Sequence, residues 1–60
     1  MIVAEKREDA RLLQLESRDD GSYMLWITEH RRPDRNRGHV IKDRKTDEIM
    51  AEYRLDPVNS

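Results

Sequence analysis

Between His30 and His39 the chain carries four arginines, Arg31, Arg32, Arg35 and Arg37, and only one acidic residue, Asp34. A guanidinium presents a planar fork of donors that matches a carboxylate or a phosphate through paired hydrogen bonds, so this cluster points to recognition of an anion. Lys42, Arg44 and Lys45 extend it: residues 30–45 hold seven basic and two acidic side chains, a local charge of +5. The flanks are acidic, −3 over residues 1–29 and −3 over 46–60, which leaves a net charge of −1. The charge is polarised along the chain, a property that bears on partners rather than on fold.

Two kinds of anion suit such a segment. An acidic protein surface is the expected partner, with a nucleic acid backbone as the alternative. Trp26 offers a face on which a base can stack. A domain that lives on phosphate contacts is ordinarily basic overall, whereas this chain has a pI near 6.1 and acidic flanks that repel a polyanion. Its near-neutral charge equally excludes a mimic of DNA. The plainest reading of the same arginines is a solvated loop paired with the chain's own Asp and Glu residues. A second candidate surface is apolar: Trp26 and Met24, with Met50 as a third member, fall opposite Tyr23, Leu25 and Ile27 if the latter face the core.

Catalytic chemistry has little to work with. His30 and His39, with Glu29 and Asp34 nearby, are zinc-ligand types, but four intervening arginines repel a dication, so no metal and no cofactor is expected. Glu29-His30-Arg31-Arg32-Pro33, with Asn36 and Gly38, resembles the acidic-His-x-x-Pro opening of the HNH nucleases over ten residues. The resemblance would imply a downstream helix carrying Asn and His metal ligands, for which residues 39–60 offer no counterpart. Two glycines, Gly21 and Gly38, cannot make a glycine-rich phosphate loop, and no serine sits in a nucleophile elbow. A binding protein with no catalytic residues is expected, an adaptor or inhibitor of the kind phages and other mobile elements encode.

Sixty residues make one domain with a thin core, and chains this short often need a staple or a second subunit. Without cysteine there is no disulfide or thiolate metal site, which fits a reducing, cytoplasmic setting and leaves a homodimer as the expected supplement. Apolar runs such as Met24 to Ile27 are four residues long, too short to span a membrane.

The patterning is that of strands. Arg18-Asp19-Asp20-Gly21-Ser22 between two apolar stretches predicts a hairpin, with Gly21 taking the positive φ of a type I turn with a bulge. Leu12–Ser17 and Ser22–Glu29 are its strands; a helix over residues 4–16 is the alternative for the N-terminus, and Ile2 and Val3 suit a short edge strand. Pro33, Asn36 and Gly38 mark residues 30–38 as an exposed connection. Beyond it Val40 and Ile41 lead through a polar turn to alternating Ile49, Ala51, Tyr53 and Leu55, a second hairpin ended by Asp56-Pro57. The expected fold is mainly β, an antiparallel meander of about four strands with room for a short N-terminal helix, frayed near 1–4 and 56–60.

Overall fold

A computed structural model describes residues 1–58 of the chain. Five strands and one helix follow in the order β1 (Ile2–Arg7), β2 (Arg11–Ser17), β3 (Tyr23–Glu29), β4 (Arg32–Ile41), α1 (Thr46–Tyr53) and β5 (Asp56–Pro57). They form one antiparallel sheet in the spatial order β4-β3-β2-β1-β5. The mainly β antiparallel architecture is the one the alternating segments predict. The first four strands are a meander, and the chain then crosses the sheet through α1 to reach the opposite edge.

Each turn has a local cause. At the β2–β3 hairpin the Gly21 amide donates to the Arg18 carbonyl at 3.1 Å and the Arg18 amide to the Ser22 carbonyl at 3.0 Å, with Gly21 at φ +87°. This is the bulged type I turn that Asp-Gly predicts. Asp20 Oδ1 accepts from the Ser22 amide at 3.0 Å and from its hydroxyl at 2.6 Å, so the buried hydroxyl has its partner. The β1–β2 turn is clasped by Arg11, whose Nε donates to Glu8 Oε1 at 2.6 Å.

The expected strand over residues 12–17 is present in place of its helical alternative, and three other expectations about the elements are corrected. Residues 4–7 and 11–17 lie in strands joined by a turn, not in a helix: β1 and β2 pair from Ile2↔Glu16 to Arg7↔Leu12 around an irregularity at Val3. Nor is the segment around Ile2 and Val3 an edge strand, because β5 pairs outside β1, Ala4 with Pro57 and Glu5 with Asp56. Near the ends, where fraying is expected, the Ser17 amide donates to the Met1 carbonyl at 2.8 Å and the Val58 amide to the Val3 carbonyl at 3.0 Å. The rest of that expectation, residues 59–60, lies outside the described residues.

Residues 30–38 are not a loop. Glu29 pairs with Arg32 across a turn of only His30 and Arg31, and β4 begins at once. Finally, the strand expected over Ile49–Leu55 is the helix α1. Ile49, Met50 and Tyr53 fall on one helical face and pack on the core, while Glu48, Ala51 and Glu52 face solvent. Arg44 reaches along the exposed side to Glu48 at 3.9 Å and Glu52 at 3.1 Å. Arg54 ends the helix in the left-handed region at φ 57°, and the Leu55 amide donates to the Met50 carbonyl at 2.9 Å.

The core lies between α1 and one face of the sheet. Ala4, Leu13, Leu15, Leu25, Ile49 and Leu55 are buried, with Tyr23, Ile27 and Ile41 packed around them. The Tyr23 and Thr46 hydroxyls share a hydrogen bond that ties β3 to the start of α1. α1 thus covers this face of the sheet.

Candidate binding edge

The four arginines gather at one edge of the sheet. Arg31 is in the turn, Arg32 opens β4 opposite Glu29, and Arg37 stands opposite Ile27. Arg35 belongs to a three-residue bulge, Pro33 to Arg35, where the register jumps from Glu29↔Arg32 to Thr28↔Asn36. All four are exposed, and among the described residues none lies within 4.0 Å of a carboxylate. Arg11 and Arg44 do have such partners. Of the plainest reading of this cluster, the internal pairing is absent among the described residues, while the exposure to solvent stands.

The hairpin tip that carries them is anchored. The His30 amide donates to the Ala10 carbonyl at 3.0 Å, and its Nε2 lies 3.2 Å from the Glu8 carbonyl oxygen. These bonds lock the β3–β4 tip against the β1–β2 turn and leave a shallow cleft of about 420 Å³ lined by Asp9, Ala10, Arg11, Glu29 and Arg31. Glu8 beneath it is held below the usual carboxylate range, first by its hydrogen bond from Arg11 and then by the charges of Arg11 and Lys6.

Met24 and Trp26 lie on the face away from α1, since the core residues Leu25 and Ile27 alternate with them. Val40 is opposite Met24 and Gly38 opposite Trp26. Gly38 is where the indole needs space: a Cβ there would stand 2.8 Å from Trp26 Cζ3 and 2.9 Å from Met24 Sδ. Trp26 Nε1 donates to Glu16 Oε1 at 3.1 Å, which fixes the ring over the bare backbone of β4. Met50, expected in this patch, packs on the core from α1 instead. In sequence Gly38 reads only as a turn marker; its register opposite Trp26 is the signal that would have found it.

Arg37 and the Trp26 patch thus occupy opposite faces of the sheet, because Arg37 shares the face of Ile27. What they have in common is β4, the outermost strand on that side. His30 lies in the turn before this strand and His39 within it opposite Leu25, and among the described residues no group of three or more His, Cys, Asp or Glu side chains is placed to hold a metal ion. Among the described residues no helix is long and apolar enough to cross a membrane. Comparison with known protein families, with curated proteins and with solved structures finds no match.

Proposed function

We propose that this chain is a non-enzymatic protein-binding domain, an adaptor or inhibitor, whose β4 edge and hairpin tip grip an acidic protein partner. One observation carries the reading: Arg31, Arg32, Arg35 and Arg37 are exposed on an anchored hairpin with no carboxylate partner among the described residues, although acids elsewhere in the same small domain pair with Arg11 and Arg44. A protein partner suits the site better than nucleic acid. The indole that would stack a base is tied to Glu16, whose carboxylate repels a phosphate brought to that ring.

The test is a pull-down with the wild type against Arg31→Glu/Arg37→Glu, run beside a mobility-shift assay on single- and double-stranded DNA at low salt. The expected result is a discrete partner captured by the wild type and lost by the variant, with no DNA shift. Retention of the partner by the variant, or a shift that weakens steeply with salt, counts against the proposal.

A further inference from the structure

The free edge of β4 has two unlike halves. Residues 32–35 are blunted against further pairing: Pro33 has no amide, and the bulge through Arg35 breaks the ladder. From Asn36 to Ile41 the register is unbroken, Thr28↔Asn36 through Tyr23↔Ile41. In a regular antiparallel strand alternate residues turn their N–H and C=O away from the neighbour. This stretch therefore presents a row of outward backbone donors and acceptors, with no strand beyond it among the described residues. Its side chains divide by face. Arg37 and His39 share the face of Ile27 and Leu25; Gly38 and Val40 share the face of Trp26 and Met24, with Val40 49% exposed.

We propose that residues 36–41 of β4 accept an extended acidic segment of a protein partner as a sixth strand, its acidic side chains beside Arg37 and its apolar ones beside Gly38 and Val40. This rests on the reading of the arginines as protein-binding groups and names how the partner is held. Charge selects the occupant. A second copy laid against the same edge brings two +5 segments together, which like-charge repulsion opposes. A segment that alternates acidic and apolar residues satisfies the backbone row, the unpaired guanidinium and the Trp26 face at once. The opposite edge offers no equivalent: β5 is two residues long, its Pro57 has no amide, and its Asp56 lies beside Glu5.

The probe is a short acetylated, fluorescein-labelled peptide alternating glutamate and valine, compared with two versions N-methylated on one or the other set of alternate amides. The glutamate peptide is expected to bind, and methylation of one set only to weaken it by about tenfold or more, since that set faces β4. Arg37→Glu should switch preference to a lysine–valine peptide, and hydrogen exchange should slow at residues 36–41 when the parent peptide is added. Equal binding by the parent and both methylated peptides overturns strand addition while leaving an acidic partner in place. Failure of the parent peptide to bind also overturns it, and in that case the pull-down with Arg31→Glu/Arg37→Glu still reports on the broader reading. Protection of residues 36–41 by single-stranded DNA but not by the peptide overturns both.

Discussion

The contact between Trp26 and Gly38 shows how one residue can fix a surface. A glycine inside a strand ordinarily weakens it, and it is retained where another group needs to come close. Here the indole lies where a Cβ would go. Gly38→Ala should therefore cost about 1 kcal/mol despite the better strand propensity of alanine, because the ring has to move. A urea melt followed by tryptophan fluorescence reads both effects, and an unchanged emission maximum with equal stability would mean the contact is slack. Asp20 gives a second prediction. Its carboxyl is held below its ordinary value of 3.8, first by the Ser22 hydroxyl and then by the Ser22 amide. A carboxylate with a lowered folded pKa stabilises the fold above its ordinary pKa, and the contribution disappears as pH falls through the lowered value. Asp20→Asn should thus lower stability at neutral pH, and the gap from the wild type should close in acid. A gap that is the same at pH 7 and well below pH 3.8 would show that the turn does not depend on the charge.

At the scale of elements, α1 holds the sheet closed. Eight residues are too few for a helix to persist alone in water, so α1 exists through the burial of its apolar side. Ile49 is fully buried. Ile49→Ala should cost about 2 to 5 kcal/mol, a large share of the stability of so small a domain, and should show as loss of the cooperative thermal transition in circular dichroism. The end of the helix carries a correctable strain: Arg54 sits at φ 57°, a conformation that costs a residue with a Cβ about 1 to 2 kcal/mol. Arg54→Gly should raise the midpoint of denaturation, by about 0.5 to 1 kcal/mol in stability. A fall would place the worth of Arg54 in its side chain instead.

For the whole molecule, charge polarity becomes geometry. The sheet runs from a basic edge at β4 to an edge at β5 and β1 where Asp56 lies beside Glu5. Like-charged β4 edges repel one another, and the core face is already covered by α1, so a monomer is the predicted sedimenting species at low ionic strength. A concentration-dependent dimer in sedimentation velocity would show instead that the Trp26 face or the β4 edge is occupied by a second copy.

Much of this protein was legible before any coordinates. The period-two alternation of β2 and β3 and the Asp-Gly turn between them are local signals, and local sterics alone set their outcome. The clustering of arginine is likewise a property of the chain. Other features depend on partners distant in sequence. Residues 49–55 read as a strand because Ile49, Ala51, Tyr53 and Leu55 alternate, yet the helix forms, with Ile49, Met50 and Tyr53 closing over the sheet and Arg44 binding Glu48 and Glu52. Residues 30–38 look like a loop because proline, asparagine and glycine each break structure, yet β3 offers a ladder that pulls them into β4 around a bulge. Tertiary pairing alone decided that Arg37 and the indole would fall on opposite faces of the sheet beside one open strand, because the face on which a residue lies is set by the strand beside it.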